Sequence, residues 1–394
     1  MHRRFFLFTA GSAAVCAQAP PSRQLVVGLI GAGFRGLQLL RHCLSLPSFR
    51  IGAVCETYEP RMFGAVALAR SKGHTTRAYR IYADLIADSD LDAVLIATPD
   101  FSHHRMTLDA LGAGKHVYVE QPLCLTWQES VELLKADKDS RQVVQVGSQR
   151  RSSRFFLELS REIGVGKVGQ IRIVQVNRTS SYLRPGVLRR GPVKFREPLN
   201  FPDWQATAAS KVPYNPDRFL NWRFYSMYGG GPVCDLGVHL LDSIHLMSGV
   251  GFPAMVAASG VRSKEEGFDT TERAVIAVQY PNGFLVSFAI NGAAASPHEI
   301  SVLDGADGRV DIGPQVARGS VVRRNLDPDF REATQRHLEN FFESTGTTQD
   351  RMRPLALPFQ RLSSARWQTC RLRPIPKCCG MPKNCASTFS VGLI

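Results

Sequence analysis

The 394-residue sequence predicts an α/β protein: a doubly wound parallel sheet in its first part, then an α+β domain with an open, largely antiparallel sheet. Three observations carry this. Short apolar runs alternate with helix-period segments up to about Gly147, glycines break the first strand–helix junction, and beyond about Ser152 the punctuation changes to hairpin turns.

Val26-Val27-Gly28-Leu29-Ile30 suits a buried strand, and Leu37, Leu40, Cys43 and Leu44 then recur at helical spacing. Between them lies Gly31-Ala32-Gly33-Phe34-Arg35-Gly36. In that context Gly31 permits a tight turn, Gly33 lets the backbone approach a pyrophosphate, and Gly36 lets the helix pack close to the strand. Helix N-terminal N–H groups then face the phosphates. The motif predicts a Rossmann-type dinucleotide site with Phe34 and Arg35 in its loop. A second strand, 49–55, ends on Glu56, 25 residues beyond Gly31, where an acid is expected on the ribose. A carboxylate accepts from a 2′-hydroxyl and repels a 2′-phosphate, so NAD is expected rather than NADP, with nearby Arg61 the residue that argues the other way.

Segments 93–97, 116–119 and 143–147 read as further strands, with helices at 102–113 and 127–138 between them. Ligands of such sheets bind at the strands' carboxyl ends. Thr98-Pro99-Asp100, Glu120-Gln121-Pro122 and Ser148-Gln149-Arg150 are therefore expected to ring the reactive end of the cofactor. Thr98, Pro99, Glu120 and Gln149 join the glycines and Glu56 as expected cofactor contacts.

From about Ser152 a helix and a strand at 170–179 precede an arm, 181–218, whose length without apolar periodicity suggests a functional loop that shapes the substrate pocket. Strands follow at 274–280 and 284–290 around Pro281-Asn282-Gly283, and at 299–303 before Gly305-Ala306-Asp307-Gly308. The domain reading is 20–150 for dinucleotide binding and 151–349 for substrate and oligomer contacts. An open sheet face leads us to expect a homo-oligomer.

Gly229-Gly230-Gly231-Pro232 leads into a helical stretch in which Asp235, His239 and Asp242 share one face at i, i+4, i+7. Histidine exchanges a proton near neutral pH, and a carboxylate one turn away can orient it. Oxidising an alcohol needs both, because loss of hydride accompanies loss of the hydroxyl proton. A capping Asp235 with a packed His239 is the structural alternative. A metal held by His239, Asp242 and His245 is a third, with an incomplete ligand set. The nine cysteines contain no C-x-x-C pair, and no metal is expected.

The formal charge of +14 is concentrated at the termini: eight Lys or Arg and no acid lie from Arg351 onward, and Arg3 and Arg4 add two more. The body is left without a basic stripe, so no nucleic-acid partner is expected. Met1-His2-Arg3-Arg4-Phe5-Phe6-Leu7-Phe8, apolar to about Ala17 and closed by Ala17 and Ala19, reads as a twin-arginine export signal over 1–19. It is short for a membrane span, so no stable insertion is expected after cleavage. An exported, periplasmic or otherwise extracytoplasmic enzyme carries its cofactor with it, which leads us to expect tightly bound NAD. The tail 350–394, basic, rich in Pro and Cys and without helical period, reads as the product of a reading-frame change or as a lineage extension.

Gly31-x-Gly33-x-x-Gly36, Ala97-Thr98-Pro99-Asp100 followed by His103 and His104, Gly114-Lys115-His116-Val117-Tyr118-Val119-Glu120-x-Pro122 and Asp235-x-Gly237-x-His239 together resemble the Gfo/Idh/MocA family of NAD(P)-dependent oxidoreductases. Tyr214-Asn215-Pro216, Asn221-Trp222-Arg223 and Gly229-Gly230-Gly231 look like its exported, twin-arginine branch. The resemblance implies a Rossmann domain plus an open-sheet domain, hydride exchange with a sugar, polyol or related hydroxy compound, His239 as acid or base with Asp235, and His103 among the cofactor-site residues. The family's usual Glu-Lys-Pro is here Glu120-Gln121-Pro122, so the position that binds and polarises the reacting hydroxyl holds a neutral amide. Arg150, Arg223 and Lys211 are candidate substitutes for that charge. Two other readings stay open: an NAD-dependent glycosidase acting by transient oxidation and elimination, and a non-catalytic sugar- or cofactor-binding protein.

Overall fold

The computed structural model describes residues 24–181, 199–313, 318–319 and 330–346. The expected signal 1–19, the arm between 182 and 198 and the tail 350–394 lie outside the described residues.

The first unit runs β1 (Leu25–Ile30), α1 (Phe34–Ser45), β2 (Phe49–Cys55), α2 (Glu59–Ser71), β3 (Arg77–Tyr79), α3 (Tyr82–Ile86), β4 (Ala93–Ile96), α4 (His103–Gly112), β5 (His116–Val119), α5 (Trp127–Asp139) and β6 (Val144–Val146). Its sheet has the order β3-β2-β1-β4-β5-β6 with every pair parallel. The order reverses between β1 and β4, which opens a crevice at the carboxyl ends of the strands. β1 and β4 are buried at every position because helices cover both sheet faces, hence the unbroken apolar runs. Val27, Leu29, Leu39 and Phe49 build the core on one side, and Ile30, Leu85, Val94 and Ile96 on the other. α5 begins at a capping box in which the Thr126 hydroxyl accepts the Glu129 N–H and the Glu129 carboxylate accepts the Thr126 N–H.

The second unit comprises α6 (Arg154–Gly164), β7 (Ile171–Thr179), α7 (Phe201–Trp204), α8 (Pro216–Leu220), α9 (Gly231–Ser248), β8 (Met255–Arg262), β9 (Thr271–Gln279), β10 (Leu285–Asn291), β11 (His298–Gly305), β12 (Arg309–Ile312) and β13 (Arg318–Gly319). The sheet order is β13-β12-β11-β7-β10-β9-β8, antiparallel at each pairing except β7 with β10. Here the strands alternate: Ala274, Ile276 and Val278 of β9 point inward while Val275 is 61% exposed. α6 and α9 cover the inner face through Phe156, Leu159, Leu236, Leu240 and Ile244. Each such side chain, fully buried, contributes about 1.5–3 kcal/mol.

One helix does not follow the expected boundary of 151–349. α10 (Phe330–Gly346) returns to the first unit, where Leu338 and Phe341 enter the core beside Tyr118 and Phe49. Gln145 donates to the His337 carbonyl, and the His337 ring accepts from the Ser152 hydroxyl at Nδ1 while its Nε2 donates to the Val146 carbonyl. The sequence offered no signal for this return, since an amphipathic helix does not state which apolar surface it covers.

Candidate active site

The turn after β1 is built as the glycine spacing predicts. Gly31 sits at φ +90°, and a Cβ there would lie 2.6 Å from the Ala97 carbonyl oxygen. At Gly36 a Cβ would stand 1.9 Å from the Gly31 carbonyl oxygen, so the helix can approach the strand only without a side chain. A Cβ on Gly33 would meet nothing within 4 Å. Gly33 faces open space, and no side chain caps the first N–H groups of α1. An open backbone face at a helix N-terminus whose N-cap, Gly33, has no side chain fits a pyrophosphate.

Around this turn lies a cleft of about 400 Å³, lined by Gly31, Gly33, Phe34, Arg35, Glu56, Thr98 and Pro99 among others. Phe34 is 83% exposed there. Glu56 is buried at the end of β2 and anchored by backbone donors: its Oε2 accepts from Ala32 N at 3.0 Å, its Oε1 from Thr57 N at 2.8 Å and Tyr58 N at 3.1 Å. A carboxylate has about four acceptor sites, so these bonds fix it at the lip of the cleft and leave Oε2 able to accept a ribose hydroxyl. Arg61, the residue that argues for a 2′-phosphate, also lines the cleft, with its guanidinium carbon 5.2 Å from the Phe219 ring centre and 5.8 Å from that of Tyr58.

Three expected contacts stand behind the cleft rather than on it. Glu120 is buried and accepts from Arg35 Nε at 2.8 Å and Gln149 Nε2 at 3.0 Å; burial raises its pKa against the pull of Arg35. Gln149 is 1% exposed and also donates to the Tyr118 hydroxyl. His103 is 1% exposed, with Nδ1 2.7 Å from the Pro122 carbonyl oxygen and Nε2 2.9 Å from that of Thr98. Each ring nitrogen is thus committed to a loop after β4 or β5, and His103 positions those loops. The sequence placed these residues at the right strand ends, but strand-end location does not say whether a side chain turns to the cleft or into the packing beneath it.

The second motif meets the first at one point. Gln121 Nε2 lies 2.7 Å from His239 Nε2, joining the loop after β5 to α9. Burial, and after it the Arg150 charge, lower the His239 pKa to about 4, so the ring is neutral at physiological pH and accepts the amide hydrogen at Nε2. Gln121 Oε1 is buried without a hydrogen-bond partner among the described residues. The expected orienting bond from Asp235 to His239 is not formed. Asp235 instead pairs with Arg223 Nε at 3.5 Å and faces Asp100, whose pKa burial and the Asp235 charge push up to about 8. Asp235 acts on His239 through its charge, which opposes the loss of the imidazolium.

The rest of that helix face is used structurally. Asp242 accepts from Arg151 Nε at 2.7 Å, and His245 Nε2 lies 2.6 Å from the Tyr280 hydroxyl oxygen. His239, Asp242 and His245 therefore have separate partners, and no cluster of metal-binding side chains occurs among the described residues. Of the candidate cations, Arg150 forms a two-pronged bridge to Glu299 at 2.8 and 2.6 Å, Lys211 donates to the Gln205 carbonyl, and Arg223 both lines the cleft and stacks on Trp222 at 4.3 Å. Asp100, expected with Thr98 and Pro99 to ring the reactive end of the cofactor, is buried and faces Asp235 instead. Sequence reasoning also assigned the arm to the substrate pocket alone, whereas Asp203, Trp204 and Ala206 line the cofactor cleft.

Residues 25–148 match the GFO_IDH_MocA model, an oxidoreductase family with an NAD-binding Rossmann fold, and residues 204–311 match the GFO/IDH/MocA C-terminal domain. The chain is 27% identical over 262 residues to a glycosyl hydrolase family 109 protein of Shewanella amazonensis, covering 64% of this chain and 53% of that protein. It is 25% identical over 328 residues to inositol 2-dehydrogenase 2 of Saccharopolyspora erythraea, covering 79% of this chain and 83% of the relative. A levoglucosan dehydrogenase in complex with NADH and L-sorbose shares the fold at a TM-score of 0.67 and 19% identity, covering 83% of this chain and 91% of the other. With both domains matched and the glycine turn in place, the chain belongs to the Gfo/Idh/MocA family of oxidoreductases with an NAD-binding Rossmann domain.

Proposed function

We propose that this protein interconverts a CH–OH group and a carbonyl on a sugar, polyol or related hydroxy compound, with NAD as redox partner and His239 exchanging the hydroxyl proton. The observation that supports this best is the contact between Gln121 and His239, which joins a half-buried, neutral imidazole to the loop after β5, the strand next in the sheet to β4, whose end carries the cleft-lining Thr98 and Pro99. NAD, when held by the glycine turn and Glu56, would supply the hydride acceptor for the carbon. His239 Nε2 then takes the hydroxyl proton, for which the substrate oxygen displaces the Gln121 amide hydrogen. Gln121, freed from the ring, donates to that oxygen, and a neutral donor there stabilises developing charge less than a cation would. Asp235, one turn away, stabilises the imidazolium that results.

The test mixes purified protein and NAD with a panel of sugars and polyols while NADH absorbance is followed. Reduction with one class of hydroxy compound supports the reading, and binding of NAD without turnover on any of them counts against it.

A glycosidase reading has specific support in the match to the glycosyl hydrolase family 109 protein and in Gln121, which departs from the lysine of the dehydrogenase pattern. In that case the protein releases an aglycone from a glycoside while net NADH stays near zero. Two further proposals accompany the enzyme. Arg3-Arg4 and the apolar stretch behind them direct export by the twin-arginine route, tested by cell fractionation with and without Arg3→Lys, Arg4→Lys. Val275, Leu285 and Ile300 on the outer sheet face meet a second copy of the chain, tested by light scattering.

A further inference from the structure

We propose that the groove between α1 and α10 is a second ligand site, distinct from the cofactor cleft, that takes the phosphate dianion of a small hydroxyl-bearing compound.

Arg35, Gln38, Arg41 and His42 are spaced i, i+3, i+6 and i+7 along α1 and so share one face. That face meets the first turns of α10, where Arg331 and Gln335 stand one turn apart, and the two helices enclose a groove of about 500 Å³. Sites for small molecules fall in this size range. The groove lies off the path of the dinucleotide. It shares Phe34 and Arg35 with the cofactor cleft, but then follows α1 to Ser45, about 15 Å of helix rise from the glycine turn, and touches neither Glu56 nor Thr98.

Charge sets the class of ligand. Arg35 donates through Nε to Glu120 at 2.8 Å and through Nη1 to Gln38 at 3.1 Å. Glu332, the one acid among the described residues that line the groove, pairs with Arg336 at 3.4 Å. Arg41 and Arg331 are exposed and pair with no carboxylate among the described residues. His42 feels the excess: burial, and after it the charges of Arg35 and Arg331, lower its pKa. Two guanidiniums from facing helices, without a protein counter-charge, complement a phosphate monoester, which carries about −1.5 to −2 at pH 7 and accepts the guanidinium fork on paired oxygens. A monocarboxylate would leave one guanidinium unmatched. Gln38, Ser45 and Gln335 supply amide and hydroxyl groups for the rest of the compound.

Isothermal titration calorimetry tests this on the full-length protein with NAD held at saturation, so that the glycine turn is already occupied. Glucose 6-phosphate and inorganic phosphate are the probes and glucose the uncharged control. The proteins are wild type, Arg41→Gln, Arg331→Gln and, on the opposite face of the parallel sheet, Arg105→Gln. Arg41 and Arg331 are exposed, so replacing them leaves the packing intact. The expected result is binding of glucose 6-phosphate by wild type and Arg105→Gln, and binding about tenfold weaker in Arg41→Gln and in Arg331→Gln. Inorganic phosphate that binds as tightly as the ester, with the same loss in both variants, supports the site and makes the free ion its ligand. Equal affinity for the ester in all four proteins, or no binding of either phosphate, overturns the site. Glucose that binds as tightly as the ester overturns it too, because the phosphate then contributes nothing.

Discussion

Gln121 Nε2 and His239 Nε2 lie 2.7 Å apart although 118 residues separate them in the chain. The amide fills the position of the family's lysine and meets a histidine that is neutral. Replacing the proton acceptor with His239→Asn is expected to lower kcat roughly 10²–10⁴-fold, with NAD affinity measured by fluorescence unchanged. Gln121→Lys places a cation where the hydroxyl oxygen develops charge and is expected to raise dehydrogenase turnover. An unchanged rate would set aside the account in which the neutral amide limits it.

The pH dependence follows from His239. A base is competent above its own pKa, and burial with the Arg150 charge brings this one to about 4. The acidic limb of kcat/KM for alcohol oxidation is therefore expected near pH 4, with a flat profile through the pH 6.5 region where an ordinary histidine would titrate. A limb at about 6.5 in steady-state kinetics would show an imidazole exposed to water.

Gly33→Ala and Gly36→Ala are expected to separate binding from folding. The Gly33 methyl enters open space, so thermal stability changes little while NAD affinity falls through loss of close backbone approach. The Gly36 methyl would stand 1.9 Å from the Gly31 carbonyl oxygen, and overpacking of that kind costs about 1–3 kcal/mol or more. Calorimetry and nucleotide titration of both variants check the contrast.

Asp100 carries an opposite pH signature. Its carboxyl is raised to about 8 by burial and by Asp235, so ionising it opposes folding. Between the unfolded carboxylate's pKa near 4 and the folded value near 8, the unfolded state releases the proton first and wild-type stability is drawn down as pH rises. Asp100→Asn lacks that loss and can still accept the Gly230 N–H. Its stability relative to wild type is expected to grow by several kcal/mol from pH 4 to pH 8 and then level off, as read by chemical denaturation at stepped pH. A constant difference across that range would mean that Asp100 ionises freely.

The sequence by itself determined the parallel sheet, its glycine turn and the acid at the end of β2, because these depend on local rules: strand and helix periods, a left-handed backbone at Gly31, and a fixed distance along one βαβ unit. It also placed Asp235 and His239 on one helix face. The tertiary structure alone decided which polar side chains turn toward the cleft. Glu120, Gln149 and His103 sit at the expected strand ends yet spend their hydrogen bonds on Arg35, Tyr118 and backbone carbonyls. Asp235 faces Arg223 and Asp100 instead of binding the His239 ring, and α10 returns to the first core. These outcomes depend on partners brought together from distant parts of the chain. Desolvation makes each buried polar group take the donor or acceptor that packing provides, and spacing along the chain carries no record of that choice.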